Sequence, residues 1–389
     1  MINDKVQAII LAAGKSTRFN TDSSKLVERI CGKEMIVHTT SLLKKMHIPT
    51  TLVVGHKKEL VEAAVKKHHP KGHFNFVHQT EQLGTGHALQ CTKQAWTKEH
   101  ILVMNGDTPL LSEDLLQRLI DKHVGTDAAM SFLVAHNVDP SIQGYGLVVN
   151  QNNQIKIIEE EHLEEEHDDL YNLNGGLYLL KRTFLEKYID SLPRDKQSGE
   201  VYLTTLAEIA SDNGLTISIV DAPFDEVRGV NTQRELWVAE QIKRSQIIDY
   251  WMKQGVRFSA AQNVHLDETV TIGNGTYIGN GVQLFGKTTI GKKCSICAFN
   301  ILNNAKLGDN CLVRPHTIIK ESAIGDNCMI NSFTYIHEGS IIQNNCAVGS
   351  FNEICGEIIS QNTKTSKKNE RTFVAAFKTC ADRSFSDTI

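Results

Sequence analysis

Residues 6–25 read VQAIILAAGKSTRFNTDSSK. The apolar start, residues 6–11, has the composition of a short strand. Three residues with almost no side chain follow, Ala12, Ala13 and Gly14, and then cations at Lys15, Arg18 and Lys25. A strand that empties into small residues lets backbone N–H groups approach phosphate oxygens, and guanidinium and ammonium groups neutralise the charge. Two further stretches set polar groups directly after β-type runs. Residues 74–77 lead to Gln79, Gln82, Gly84 and Thr85. An amide both donates and accepts, so Gln79 can read the edge of a pyrimidine, and Gly84 lets backbone come close to a flat base. Residues 101–104 lead to Asn105, Gly106 and Asp107. A carboxylate beside glycine at the end of a strand suits Mg²⁺ bound to nucleotide phosphates.

Spacing excludes two familiar phosphate loops. A Walker loop needs glycine where Ile9 stands, and a dinucleotide fingerprint needs it at Ala12 and Thr17. The run resembles instead the sugar nucleotidyltransferase loop L-x-x-G-x-G-T-R followed by Lys. Here it is Leu11, Ala12, Ala13, Gly14, Lys15, Ser16, Thr17, Arg18 and then Lys25, with Ser16 where the second glycine is usual.

The elements that must position these residues alternate in type. Met35, Ile36, Leu42, Leu43 and Met46 have helical spacing. Residues 51–54 are a β-rich run, and Leu60, Val61, Ala64 and Val65 mark another helix. Such alternation predicts a Rossmann-like α/β domain over residues 1–230, with a mostly parallel sheet covered by helices and ligands at the carboxyl ends of its strands; the loop's resemblance implies that it is a nucleotidyltransferase domain. Residues 231–256 carry Leu236, Trp237, Ile242, Ile247, Ile248 and Trp251 among charges, which predicts one long amphipathic linker helix.

The pattern then becomes a repeat. Leu266, Ile272, Ile278, Leu284, Ile290, Ile296 and Leu302 are six residues apart; after a slip the phase resumes at Leu312, Ile318, Ile324, Ile330, Ile336, Ile342, Val348 and Ile354. A hexapeptide repeat predicts a parallel β-helix over residues 257–356, three short strands to a coil of about 18 residues. Residues 357–389 lose the period and are expected to be a loose tail or extended arm.

Composition is that of an ordinary soluble protein: 389 residues, 41% hydrophobic and 22% charged. A net charge of −4 points to neither nucleic acid nor a membrane surface. Nine scattered cysteines, no leader and no apolar run of membrane length lead to the expectation of reduced thiols in the cytoplasm. Cys294 and Cys297 form a lone C-x-x-C without a second pair, which reads as small core residues rather than a zinc site.

Taken together, residues 5–320 resemble the bacterial bifunctional N-acetylglucosamine-1-phosphate uridylyltransferase/glucosamine-1-phosphate acetyltransferase family. Gln79, Gln82, Gly84 and Thr85 match its uracil segment Q-x-x-Q-L-G-T-G-H-A. Asn105-Gly106-Asp107 matches its nucleotide and metal motif, with Asn105 where an aromatic is common. Gly144-Tyr145-Gly146 resembles G-Y-G-R, with Leu147 in place of Arg. The resemblance puts Glu159 on the sugar hydroxyls and Asn174 near the ribose or N-acetyl group. The rest of the glutamate-rich stretch 159–169 reads as a solvated loop. Residues 199–204 resemble G-E-Y-Y-x-T, with Thr205 where Asp is usual, and Asn231 of Gly229-Val230-Asn231 would be the second protein ligand of Mg²⁺ beside Asp107.

What the resemblance implies is a cell-wall precursor enzyme working on UTP and N-acetylglucosamine 1-phosphate. A sugar 1-phosphate is already an oxyanion and needs no general base. It can attack the α-phosphorus in line while Arg18, Lys25 and Mg²⁺ stabilise the transferring group. Two alternatives stand beside it: the same reaction on another sugar 1-phosphate, and a non-catalytic trimer that binds a sugar nucleotide. The family's β-helix is left-handed and trimeric and carries a second, acetyltransferase site. Arg314-Pro315 resembles its R-P-G, with His316 for glycine, but at the family spacing its Lys falls at Ser332 and its His base at Asn344. His337 lies off the family position, and the later coils are missing. Acetyl transfer is therefore expected to be absent or severely weakened.

Overall fold

The structure is a computed structural model that describes residues 2–15, 17–19, 23–72, 74–136, 144–151, 154–163 and 172–365. The chain divides into two compact units, residues 1–239 and 240–389.

The strands of the first unit's main sheet are β1 (Val6–Ala12), β2 (Thr50–Val54), β3 (Phe74–His78), β4 (His100–Asn105), β5 (Met130–His136), β6 (Leu147–Gln151), β7 (Gln154–Ile158), β8 (Asn172–Lys181) and β9 (Ile217–Ala222). Its helices include α1 (Met35–Lys45), α2 (Lys58–His68), α3 (Thr85–Gln90), α4 (Glu113–Gly125), α5 (Arg182–Tyr188) and α6 (Thr205–Asp212). The main path of the sheet runs β9-β5-β8-β4-β1-β2-β3, with the β6–β7 hairpin attached to β8. All of it is parallel except β8 and the hairpin. The alternation of types gave no sign of this reversed strand, because its run Leu177, Tyr178, Leu179 and Leu180 is as apolar as its parallel neighbours. Ile9, Ile10, Leu52, Ile101 and Leu102 are wholly buried, as befits strands covered on both faces.

His123 of α4 is buried in this core. Its Nε2 lies 3.1 Å from His100 Nδ1 and its Nδ1 2.7 Å from Ser131 Oγ. Burial, with His100 next in effect, pushes its pKa down to about 3. Between that value and the ordinary 6.5 the unfolded chain binds a proton that the folded chain refuses, so stability is lost as pH falls through this window. The loss should be on the order of 1 kcal/mol per pH unit. Urea midpoints are expected to fall between neutral pH and about pH 5, and less steeply in His123→Gln; parallel behaviour of the two proteins would contradict the assignment.

Helix α7 (Gln233–Lys253) contains the division between the units. It is less amphipathic than expected. Ile247 and Ile248 are buried, but Trp237 is 61% exposed, and Arg244 is a buried charge that pairs with Glu240 at 3.1 Å.

The second unit is a left-handed parallel β-helix of three sheets with seven, six and six short strands. The inward column is aliphatic: Leu266, Ile278, Leu284, Ile296, Leu302, Ile330, Ile336 and Val348 are all at most 2% exposed. Each such side chain contributes roughly 1.5–3 kcal/mol by leaving water. Two positions differ from the expectation. Val313 and Ile319 point inward, and Leu312 and Ile318 do not. Partners in successive coils are 17 residues apart at some turns and 18 at others, so the period slips by one more than once. The same slip hid the end of the repeat. Strands Ile358–Ile359 and Lys364–Thr365 pair with Ile341–Ile342 and Ala347–Val348, so stacking continues past residue 356. Residues 366–389, the rest of the expected tail, lie outside the described residues.

Cysteines form one buried corner of the coils. The thiols of Cys294, Cys311, Cys328 and Cys346 donate to the carbonyls of Gly308, Gly325, Gln343 and Ser360, at 3.0 to 3.1 Å. Cys294 is thus a core residue, and its C-x-x-C partner Cys297 is only half-buried. No cysteine among the described residues is disulfide-bonded. No helix among them is long and apolar enough to cross a membrane.

Candidate active site

A cleft of about 670 Å³ opens in the first unit at the carboxyl ends of β1, β3 and β4. Of the residues expected to bind or react, all but Gly106 line it. Gly106 lies beneath. Its N–H donates to Leu11 O at 3.0 Å, and an added Cβ would stand 3.1 Å from Ile36 Cδ1. Its smallness lets β4 turn against β1 and so aims Asp107, but it does not face the cleft. Ser16, the departure in the phosphate loop, lies outside the described residues.

The centre of the cleft is a cation between two oxygens. Lys25 Nζ donates to Asp107 Oδ2 and to Asn231 Oδ1, both at 2.6 Å. Lys25 and Asp107 side chains are only 14% and 18% exposed, so water screens this pair weakly. Ser24 Oγ accepts from Leu26 N and caps the short turn Lys25–Val27 that presents the ammonium. Asn231 is held from behind. Thr232-x-x-Glu235 is a capping-box sequence at the start of α7: Glu235 N donates to Thr232 Oγ1 at 3.2 Å, and Glu235 Oε2 accepts from Asn231 N at 2.7 Å. That pattern is legible in the sequence alone. A carboxylate and an amide oxygen converging on one positive charge are the hard donors that a divalent cation takes.

On one side stand the residues expected to read the base. Gln79 is 3% exposed; its Nε2 lies 3.0 Å from His87 Nδ1 and 3.3 Å from Gly84 O. Gly84 has φ +98°, and a Cβ there would meet Val201 O at 2.6 Å and Val201 N at 2.8 Å. The same Val201 binds the loop, accepting from Gly86 N and donating to Leu83 O. Gly84→Ala is therefore expected to cost about 1–3 kcal/mol from backbone conformation alone. The clash should displace the loop and weaken nucleotide binding as well. A wild-type denaturation midpoint and nucleotide affinity would contradict this.

On the other side, the register of β8 against β5 shifts between Asn174 and Tyr178. This irregularity turns Asn174 into the cleft, where its Nδ2 donates to Tyr178 Oη at 2.6 Å and its Oδ1 accepts from Gly176 N. Gly176 is required there: φ is +65°, and a Cβ would lie 2.9 Å from Asn105 Nδ2. Glu159 follows β7 and accepts from Thr204 Oγ1 at 2.6 Å. Burial raises its pKa above the usual carboxylate value, and Glu161 and Glu200 push it the same way against the Thr204 hydrogen bond. Arg18, on the turn Thr17–Phe19, approaches Gly144.

Sequence reasoning missed Tyr178, and it placed Tyr145 and Thr204 in family segments without giving either a role. Tyr145 Oη accepts from Gly229 N at 2.8 Å, and burial pushes its pKa up to about 12. Neither Leu147 nor Thr205, the two departures from the family's G-Y-G-R and G-E-Y-Y-x-T segments, lines the cleft. Leu147 begins β6 and Thr205 begins α6.

Known proteins share this organisation. Residues 8–154 match the MobA-like NTP transferase domain, and residues 260–374 match the GMPPB C-terminal domain. The bifunctional protein GlmU of Clostridioides difficile is 34% identical over 365 residues, 92% of this chain and 78% of that protein. GlmU of Exiguobacterium sibiricum is 34% identical over 77% of this chain and 67% of its own length. For GlmU of Clostridium botulinum the figures are 33%, 74% and 63%. The chain thus spans 63% to 78% of these relatives' lengths. A solved putative glucose-1-phosphate thymidylyltransferase from Bacillus anthracis, in complex with a sucrose, superposes with a TM-score of 0.51 at 20% identity. It covers 61% of this chain and 95% of that one, a likeness of fold.

Proposed function

The chain belongs to the bifunctional GlmU family and is a sugar-1-phosphate nucleotidyltransferase, and we propose that it makes UDP-N-acetylglucosamine from UTP and N-acetylglucosamine 1-phosphate with release of pyrophosphate. The observation that carries this reading is the Lys25–Asp107–Asn231 cluster on the floor of the cleft, between Gln79 and Gly84 on one side and Glu159 and Asn174 on the other.

Mg²⁺ is the proposed cofactor, held by Asp107 and Asn231, the two oxygens that Lys25 now bridges. Bound there it would supply charge stabilisation at the phosphates. The chain's own residues do the rest. Small residues Ala12 to Gly14 admit the triphosphate to the backbone of the loop. Arg18 and Lys25 neutralise the transferring group as the sugar phosphate oxygen attacks in line and pyrophosphate leaves. Glu159, kept from swinging by Thr204, accepts from sugar hydroxyls, and Asn174 is oriented by Tyr178.

Pyrophosphate release tests the proposal. A panel of sugar 1-phosphates against UTP and dTTP, with Mg²⁺, should give the highest kcat/KM for N-acetylglucosamine 1-phosphate and UTP. A different best sugar would reassign the substrate, and no turnover with any of them would sink the reading. Leu147 and Thr205, the two departures from the family pattern that would favour another sugar, stand outside the cleft lining.

We further propose a homotrimer through the β-helix. Its outer faces expose Ile341 at 43%, Ile358 at 65% and Met329 at 37%. A stacked row of rings, Phe299, His316, Phe333 and Phe351, stands exposed on one corner with centroids 5.0 to 5.3 Å apart. Apolar surface of this extent seeks a partner. Light scattering at micromolar concentration should give three chains per particle; a stable folded monomer would contradict it.

A further inference from the structure

We propose that His337, Glu353 and Cys355, on the outer face of the β-helix, form a binding site for a borderline divalent metal such as Zn²⁺, separate from the nucleotide cleft. Strand pairing builds the cluster. Tyr335 and Ile336 lie opposite Glu353 and Ile354 in the next coil, and His337 N donates to Ile354 O at 2.9 Å. With Ile336 and Ile354 both buried inward, the residues on either side of each point outward on the same face. His337 and Cys355 thus follow their inward isoleucines in adjacent coils, and Glu353 precedes its own. One ligand atom from each of the three lies within 4.8 Å of the others, the one such trio of His, Cys, Asp and Glu among the described residues.

Chemistry and rigidity support the assignment. Imidazole nitrogen, carboxylate oxygen and thiolate sulfur are the mixed donor set that Zn²⁺ accepts, at about 2.0–2.3 Å in tetrahedral geometry. Donors around such an ion stand roughly 3.3–3.8 Å apart. His337 Nε2 and Glu353 Oε1, now 2.8 Å apart, need only spread by a side-chain rotation. Both side chains are 22% exposed, open enough for entry and sheltered enough to weaken competition from water. The imidazole is already oriented, its ring stacked on Tyr335 at 3.8 Å between centroids. Lys320 Nζ is drawn aside over the Tyr335 ring, 5.8 Å from its centroid. Three protein ligands leave the fourth position to water or to a donor from elsewhere. Binding would release the thiol proton, so affinity should rise with pH.

The test is Co²⁺ titration of the chelator-treated full chain, followed by Zn²⁺ competition. One ion per chain should give the near-ultraviolet thiolate-to-cobalt absorption, which Zn²⁺ abolishes. An ion at Asp107 and Asn231 gives no such band, because no cysteine is among the described residues that line the cleft. Cys355→Ser should remove the band. Cys355→Ser and His337→Ala should each weaken Zn²⁺ by more than the roughly 10–100-fold that loss of an outer partner costs. Zn²⁺ should raise the melting temperature of the parent protein and not of the variants, while pyrophosphate release stays unchanged in all three. Glu353→Gln gives a second route if Cys355→Ser folds poorly. Absence of the band in the parent protein, or its survival in Cys355→Ser, would overturn the proposal.

Discussion

Asp107→Asn is expected to lower kcat by about 100-fold or more while changing the KM for the sugar 1-phosphate little. The reason is geometric. Asp107 Oδ2 and Asn231 Oδ1 converge on one point, now held by Lys25 Nζ at 2.6 Å from each. Asparagine keeps the shape and one oxygen but removes the negative charge that fixes a divalent cation there. A cation that stabilises developing charge at phosphorus is worth several kcal/mol in the transition state. Sugar contacts assigned to Glu159 and Asn174 are made from other strands and should survive. The loss should therefore appear in kcat and not in sugar binding, and raised Mg²⁺ should restore part of it. A melting curve is needed beside the kinetics, since Lys25 loses its charged partner. Near-normal turnover at ordinary Mg²⁺ in a folded variant would remove Asp107 from the metal site.

The second large effect concerns the β-helix. Acetyl transfer from acetyl-coenzyme A to glucosamine 1-phosphate, followed as thiol release, is expected to run at least about 100-fold below the chain's own nucleotidyl transfer. A general base contributes roughly 10²–10⁴-fold, and the residue at its expected position is Asn344. Asn344 is otherwise employed. Its Oδ1 accepts from Asp326 N at 2.8 Å, as Asp326 Oδ1 does from Asp309 N and Asp309 Oδ1 from Lys292 N, both at 2.7 Å. This ladder caps successive turns of the coil and needs an acceptor, not a base. His316, after Arg314-Pro315, is fixed between the rings of Phe299 and Phe333. His337 is held by Glu353 and Tyr335. Thiol release at a rate comparable to nucleotidyl transfer would show that some other group serves as base.

The sequence by itself determined the kinds of element and the kinds of chemistry. Apolar runs that end in Ala-Ala-Gly, in Gln79 and in Asp107 were legible because a strand, its end and its loop are neighbours in the chain. The six-residue aliphatic period was legible for the same reason: each coil repeats a local instruction. Only the tertiary structure decided what meets what. Lys25 and Asn231 are 206 residues apart, and Lys25 Nζ donates to Asn231 Oδ1 only because β1 and β4 are adjacent in the sheet and α7 begins beside them. Gly106 reads as a ligand contact but serves packing, a distinction set by Ile36 of helix α1. Thr204 restrains Glu159 from 45 residues away, and no local pattern announces it. The one-residue slips at Leu302 to Leu307 and Ile319 to Ile324 moved Val313 and Ile319 inward, since what a coil must conserve is its stacking on the coil below, not its residue count. His337, Glu353 and Cys355 look unrelated along the chain, and the height of one coil makes them neighbours.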